Sequence, residues 1–302
     1  LEADYFYNKR SNILWRRNAS IPTTSGLTLP AENIGKVDNT GFDFKIEWND
    51  NIGKDWHYSI SATGGYARNT IKFWDESPGS PQWQKSTGHP MNTDLYYQYD
   101  GVFKDQAEVD ATQAKWSGAR PGDIKFKDVN GDGKIDADDR VRSNKNSEPK
   151  FVAGVTLGAN WNNFDLMMLF QGAVGGETYV WRERAGEAGN FYKETFENRW
   201  TPENPSSVHP RIFNRENEYW VSNRNTYYLK NTDYLRLKNV ELGYTFNFPR
   251  IVKAGISNLR VYVNATNLFT IDGVKVQDPE ANDTGREYPQ RRVINFGATI
   301  TF

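Results

Sequence analysis

Residues 292–302 read Arg-Val-Ile-Asn-Phe-Gly-Ala-Thr-Ile-Thr-Phe, and this stretch decides the fold. Apolar side chains alternate with polar or small ones, which is the period-2 pattern of an extended strand with one apolar face. That face consists of Ile294, Phe296, Ala298, Ile300 and Phe302. A tilted strand of about 10 residues is long enough to cross a lipid bilayer. The stretch therefore predicts a membrane-crossing strand, if similar strands accompany it.

Seven further segments alternate in the same way. They are residues 1–8, 41–48, 55–66, 151–161, 163–172, 233–247 and 258–267. In the sixth, Leu235 and Leu237 fall out of phase with Val240 and Leu242. Either a β-bulge between Lys238 and Val240 restores the phase, or the first half of the strand lies above the bilayer.

The connections between these segments alternate between long and short. The long ones are about 9–40, 75–150, 175–232 and 268–290, and the short ones about 49–54, 161–163 and 248–257. In an up-and-down meander, successive connections lie at opposite ends of the sheet, so all the long loops share one end. This arrangement is typical of outer-membrane β-barrels, which have short periplasmic turns and long extracellular loops. It favours a barrel over the alternative, a soluble β-sandwich.

Aromatic residues concentrate beside the short connections, where a membrane-interface girdle is expected. They are Trp48, Trp56, Tyr58, Trp161, Tyr244 and Phe248. The mean hydropathy is -0.78, and no apolar run is long enough for a transmembrane helix. The formal net charge of -1 gives no reason to expect nucleic acid as a partner. The absence of cysteine excludes a disulfide framework and a thiolate metal site.

Residues 128–139 read Asp-Val-Asn-Gly-Asp-Gly-Lys-Ile-Asp-Ala-Asp-Asp and match the spacing of an EF-hand calcium loop. The predicted Ca²⁺ ligands are Asp128, Asn130, Asp132, Lys134 (through its carbonyl), Asp136 and Asp139. No helix pattern enters the loop, so we expect a structural ion that stiffens a long connection rather than a calcium switch. A turn rich in Asn, Asp and Gly also forms without an ion, and this is the alternative.

Other side chains give weaker signals. His57, His89 and His209 occur in no metal-ligand spacing, and the glutamates of a possible helix at 182–199 indicate a solvated face rather than a glycosidase pair. Tryptophans in or beside the long loops could stack on sugars, but packing or partner contact is the favoured interpretation. These are Trp74, Trp83, Trp116, Trp181, Trp200 and Trp220. Nothing indicates an enzyme.

Several stretches together resemble the SusC/RagA family of TonB-dependent outer-membrane transporters. They are Asn231–Phe246, Leu259–Phe269, Tyr288–Phe302, Gly122–Asp136 and Asn198–Pro205. Each motif alone is weak, but the combination covers almost the whole chain. The resemblance implies that residues 1–302 are about the last eight strands of a roughly 22-stranded plugged barrel. The signal peptide and the plug domain are then expected to lie outside this chain.

The resemblance also implies a function. The expected activity is TonB-dependent import of a nutrient across the bacterial outer membrane, with a glycan oligosaccharide as cargo and an oligopeptide as the alternative. The expected partners are a SusD-like surface lipoprotein acting as a lid, the N-terminal remainder of the transporter, TonB acting through the plug, and the lipid bilayer. A different hypothesis is a calcium-stabilised, carbohydrate-binding β-domain that is soluble or attached to the surface. The two differ in whether the apolar strand faces meet lipid or a second sheet.

Overall fold

The computed structural model describes residues 1–17, 29–180, 192–205, 207–212, 218–246, 255–281 and 290–302. The strands are β1 (Glu2–Arg16), β2 (Ala31–Ile52), β3 (Trp56–Phe73), β4 (Leu95–Tyr97), β5 (Tyr99–Val102), β6 (Ile124–Phe126), β7 (Arg140–Arg142), β8 (Phe151–Trp161), β9 (Phe164–Val174), β10 (Glu177–Tyr179), β11 (Leu229–Asn231), β12 (Tyr234–Phe246), β13 (Asn258–Asp272) and β14 (Val293–Thr301). The helices are α1 (Gln106–Ala111), α2 (Lys193–Glu197) and α3 (Tyr219–Ser222), with single 3-10 turns at Gln82–Gln84, Ala137–Asp139 and Thr226–Tyr228.

Eight long strands form one antiparallel sheet in the order β1-β2-β3-β8-β9-β12-β13-β14. Each long strand pairs with the next long strand along the chain, so the sheet is an up-and-down meander. The predicted all-β, antiparallel, up-and-down class is therefore confirmed. Among the described residues, no helix has the length and apolar character needed to span a membrane.

The alternation of long and short connections is also confirmed. Two tight turns, between Ile52 and Trp56 and between Trp161 and Phe164, lie at one end of the sheet. Residues 74–150 and 175–233 connect strands at the opposite end. Most of the third short connection, 248–257, lies outside the described residues.

The predicted loop at 9–40 is wrong in its bounds. Strand β1 continues to Arg16 and β2 begins at Ala31, and these two residues pair across the ladder. The sequence conceals this extension because residues 9–12 are polar on both faces. A backbone ladder needs hydrogen-bonding groups, not alternating hydrophobicity, so it continues past the apolar band. For the same reason β13 continues to Asp272, past the predicted loop start at 268.

The phase change in β12 is a β-bulge. The ladders to both neighbouring strands shift register between Leu237 and Asn239. Against β9, Lys238 is the extra residue, and the bulge returns the polar side chains on its two sides to one face. Against β13, the extra residue lies on β13 between Thr266 and Phe269. This confirms the bulge that the sequence predicts.

The sheet has one apolar and one polar face. The apolar face is exposed, with Phe42 at 44%, Leu242 at 46% and Phe296 at 84% of their accessible area. In the described part of the chain, the other sheets are three two-stranded pairs formed by loop strands. The soluble β-sandwich alternative requires a second sheet packed on the apolar face, and no described sheet packs there.

An aromatic row crosses the apolar side beside the short turns. Trp56 stacks on Trp161 with ring centroids 5.5 Å apart, and Trp161 stacks on Phe164 at 6.1 Å. The edge of Tyr244 meets Phe164 at 4.7 Å. Three of the predicted aromatic residues, Trp56, Trp161 and Tyr244, thus lie in one row that Phe164 completes across four strands. Phe248 lies outside the described residues.

Candidate functional site

The two longest connections, 74–150 and 175–233, pack together into one loop module at the long-loop end of the sheet. Its core consists of Tyr97, Ile124, Phe126, Trp220, Val221 and Tyr228. Tyr97 stacks on Phe126 at 4.8 Å, and Trp116 stacks on Tyr219 at 5.5 Å. Residues about 100 positions apart in sequence thus share one hydrophobic core.

The loop tryptophans serve this packing. Trp220 is fully buried, and Trp116 lies against the core. The indole N–H of Trp83 donates to the carbonyl of Asp138 at 2.8 Å, and that of Trp200 donates to the carbonyl of Lys104 at 3.0 Å. Trp74 lies against Trp15 near the top of β1, with ring centroids 3.7 Å apart. Trp181 lies outside the described residues. The favoured interpretation, packing rather than sugar stacking, fits all five described tryptophans.

A buried ionic cluster fastens the module internally. Asp123 is 1% exposed and accepts a hydrogen bond of 2.7 Å from Nε of Arg211. Arg211 also pairs with Glu218 at 2.9 Å, and Glu218 with Arg120 at 3.0 Å. Burial raises the pKa of Asp123 to about 6 although Arg211 opposes the shift, and the charge of Glu218 raises it further. The carboxyl group at the centre of the loop module therefore has a pKa raised above its ordinary value by burial.

The predicted calcium loop forms a series of Asx turns. Asp128 accepts backbone N–H groups of Gly131 at 2.7 Å and Gly133 at 2.9 Å. Asp132 accepts the N–H of Lys134 at 2.9 Å, and Asn130 accepts that of Asp132 at 3.0 Å. These side-chain bonds fix the turns of the backbone, as a stretch rich in Asn, Asp and Gly does without an ion.

The C-terminal part of this loop is held differently. Asp139 is fully buried, and its two oxygens accept the N–H groups of Val129 and Asp136, both at 2.8 Å. Together with Asp136 it forms a capping box on the single turn Ala137–Asp139. Within the described ranges, no three His, Cys, Asp or Glu side chains are grouped so that they could hold a metal ion. The Ca²⁺ site stays a prediction.

The polar face of the sheet carries a charged network near the short turns. Arg260 contacts both oxygens of Asp165, with Nε at 3.0 Å from Oδ2, and donates to Glu241 at 2.7 Å. Asn264 donates to Glu241 at 3.2 Å, and Asn295 to Asn264 at 3.0 Å. The network spans four strands, β9, β12, β13 and β14. The period-2 alternation of these strands predicts a shared polar face, but it does not predict which of these residues pair.

A second polar contact fixes the segment that follows β13. Arg236 is 1% exposed, and its guanidinium contacts Asp278 at 2.8 Å, Thr270 at 3.0 Å and Glu280. The segment 273–281 thereby folds back onto the polar face of β12. The sequence analysis does not predict this contact. The signal that could have indicated it is an arginine on the polar face of a strand together with acidic residues in a later loop.

The predicted weaker signals do not converge. His57 contacts Asn51 at 2.9 Å beside a short turn, and His209 contacts Tyr227 at 2.8 Å and Glu194 at 3.3 Å in the loop module. Of the possible helix at 182–199, the structure has α2, Lys193–Glu197, and residues 181–191 lie outside the described part. The described histidines thus lie at separate places.

No protein-family model matches the sequence. Similarity to individual proteins nevertheless covers the whole chain. TonB-dependent receptors P3 and P26 of Formosa agariphila are 29% and 28% identical over 100% of this chain. TonB-dependent receptor SusC of Bacteroides thetaiotaomicron is 22% identical over 99% of it.

The chain resembles SusC-like TonB-dependent receptors along its whole length. The solved structure of the RagAB peptide transporter aligns with 99% of the chain at a TM-score of 0.70 and 25% identity. The structure of the RagAB peptide importer in its open-open state gives a TM-score of 0.69 at 23% identity, which supports the fold alone. The chain spans about a third of the length of these relatives, at 32% for P3 and 33% for the RagAB chain. Their names describe receptors and transporters.

Proposed function

We propose that this chain is the C-terminal part of the barrel of a TonB-dependent transporter that imports an oligomeric nutrient across the bacterial outer membrane. The observation that carries the proposal is the two-faced sheet. Its apolar face is exposed across all eight strands, while its other face holds Arg236, Arg260 and their acidic partners. Lipid on one side and a wet lumen on the other satisfy both faces.

The partners follow from this placement. The outer strands β1 and β14 each have one neighbour in the sheet, so the earlier strands of the same transporter would close the barrel against them. A plug in that earlier part would contact TonB. The loop module would face outward and receive a SusD-like surface lipoprotein as a lid. Similarity to SusC and to the RagAB peptide transporter supports this assembly.

The proposed cargo is a glycan oligosaccharide, with an oligopeptide as the alternative. The whole-chain similarity to SusC-like receptors supports import in general, and the name of the RagAB peptide transporter keeps the peptide in view. Uptake of labelled glycan and peptide oligomers by cells with and without the intact gene distinguishes them. TonB-dependent uptake of neither class, with the protein correctly folded in the outer membrane, would contradict the proposal.

The assembly itself is tested by extraction. Detergent extracts containing this chain should yield the earlier strands, the plug and a lipoprotein in one complex by mass spectrometry. A chain that stays folded and monomeric without detergent would instead favour the calcium-stabilised carbohydrate-binding domain.

We further propose that Ca²⁺ stiffens the loop at 128–139 in the assembled transporter. The Asx turns hold Asp128, Asn130 and Asp132 in one short loop, and the ion would compete with backbone N–H groups for their oxygens and for the carboxylates of Asp136 and Asp139, with the carbonyl of Lys134 as a further ligand. The ion would have no transport role of its own. Calorimetric titration of the purified complex with Ca²⁺ tests binding, and Asp132→Asn should weaken it.

A further inference from the structure

A cleft lies where strands β1, β2 and β3 meet the first long loop. Its volume is about 1280 Å³, and it lies between these strands and the loop residues Pro90, Met91 and 146–150. Pockets for drug-sized ligands hold roughly 300–1,000 Å³. This cleft is therefore large enough for several units of an oligomer. None of the sites described above uses it.

A row of asparagines lines the floor of the cleft. Asn8 pairs with Asn39 across β1 and β2, and Asn39 pairs with Asn69 across β2 and β3. Their side chains thus leave the same face of the sheet about 5 Å apart. Asn69 accepts the N–H of Met91 at 2.7 Å and so supports the roof. Among the described residues, no hydrogen bond engages the amides of Asn8 or Asn39, which offer both donors and an acceptor.

The cleft also carries positive charge. Its lining includes Arg10 and Lys150 on the face that carries the asparagines, while Lys9 and Arg68 also border it but belong to the opposite face of the sheet. Glu148 is the single acidic residue among those that line it in the described part. Arg10 is two residues from Asn8 and leaves the same face of β1. Within the described ranges, no ion pair joins Arg10 or Lys150 to a carboxylate, and the ammonium of Lys150 donates one hydrogen bond to the carbonyl of Asn144 at 3.0 Å. Burial lowers the pKa of Lys150, and the nearby charges of Arg68 and Lys145 lower it further.

Basic groups that lack a carboxylate partner, beside amides that make no hydrogen bond, favour an anionic ligand that also carries polar groups. Guanidinium and ammonium groups form their strongest hydrogen bonds with carboxylates and sulfates, and Arg can do so with two bonds at once. Side-chain amides complement hydroxyl or peptide groups on either side of such an anion. An uncharged oligomer would leave the positive charge without a counter-charge.

We propose that this cleft binds an anionic segment of the transported oligomer. Arg10 and Lys150 pair with its acidic group, and Asn8 and Asn39 bind the flanking polar groups. The inference rests on the proposed transport function and narrows its cargo to an acidic one. Uronic-acid glycans and acidic peptides share this chemistry, so the test has to separate them.

The test uses the intact transporter complex purified in detergent. Isothermal titration calorimetry compares hexagalacturonate, hexaglutamate and neutral maltohexaose as ligands. We expect one of the anionic hexamers to bind, and the one that binds identifies the cargo class. Its affinity should fall as salt rises from low to high concentration, because salt screens exposed charges.

Variants locate the binding in this cleft. Arg10→Gln and Lys150→Gln should each weaken the anionic ligand by about tenfold, the loss of one charge-assisted hydrogen bond. Asn39→Asp places a negative charge in the floor and should weaken it at least as much. Lys54→Gln, an exposed turn residue at the opposite end of the sheet, is the matched control and should leave affinity unchanged. Heat-modifiable mobility on gels checks that each variant is folded.

Three results would overturn the inference: no binding of either anionic hexamer at millimolar concentration, equal binding of the neutral hexamer, or unchanged affinity in all three cleft variants. If the wild type still takes up a neutral oligomer in a TonB-dependent way after such a result, the proposed transport function stands and only the anionic binding site is refuted. Loss of TonB dependence for every oligomer would instead refute the transport function itself.

Discussion

Replacing Trp220 with alanine should open the loop module and leave the sheet intact. Trp220 is fully buried in the core that joins the two longest loops, and Arg211 lies over its ring at 5.0 Å. Truncating a buried Trp to Ala costs about 3–5 kcal/mol, from lost transfer free energy and the cavity that remains. Since 1.4 kcal/mol is a factor of ten, protection against opening should fall by roughly 10² to 4 × 10³.

Hydrogen exchange of the intact complex, read by mass spectrometry, measures this directly. Amides of β4, β6 and α3 should lose protection, whereas those of β8 and β9 should keep it, because the loss is local to the loops. Phe196→Ala is the matched control, since this aromatic is 48% exposed and its truncation should change little. A fall of less than tenfold in the loop peptides would show that the two loops do not depend on this core, and the reasoning would be wrong.

Three further predictions follow from individual contacts. Burial raises the pKa of Asp123 in the folded protein to about 6, above its ordinary value of 3.8, so the stability contributed by its protonated form is fully present below about pH 4 and is lost as pH rises through 6. Protection of the loop amides, corrected for intrinsic exchange, should therefore rise when the pH is lowered from 7 to 5. The substitution Asp123→Asn should abolish that rise. Gly41→Ala should reduce the folded fraction measured by heat-modifiable gel mobility, because the new Cβ would overlap the carbonyl of Tyr66 and the ring of Phe6. Gly154→Ala is the control and should be tolerated, because the nearest atom to its new Cβ is 3.5 Å away. Equal effects of the two substitutions would refute the steric argument. Chelation of Ca²⁺ should speed proteolysis of the loop at 128–139 in the wild type and have less effect in Asp132→Asn, and equal cleavage with and without chelator would count against the ion.

The sheet was predictable because the alternation within each strand shows which of its two faces is apolar and which is polar. Phe296 and Asn295 need opposite surroundings, and a period of 2 delivers them wherever the strand pairs. The bulge at Lys238 was predictable for the same reason, since a phase error in a paired strand has one local remedy. The strand ends were not predictable beyond the apolar band, because residues such as Lys9 and Asn12 carry no preference between a ladder and a loop.

The residues that build the loop module were predictable from the sequence, but the contacts between them were not. The tryptophans and the Asx-rich turn were visible in the sequence, because local composition and spacing define them. Pairing Asp123 with Arg211, or Arg236 with Asp278, requires knowing which distant segments meet. Such pairings depend on chain closure over about 40 to 90 residues, which no local pattern encodes.

The cleft over β1–β3 shows where these two kinds of information combine. Asparagines at positions 8, 39 and 69 carry no motif, because 31 and 30 residues separate them in the sequence. The meander places them side by side, since each pair lies opposite across one ladder. A row of amides beside an unpaired Arg10 costs a transporter little stability while it faces water. The row lies at the loop end of the polar face, whereas Arg260 pairs with Asp165 near the short turns, and the loop end is where the proposed cargo would enter.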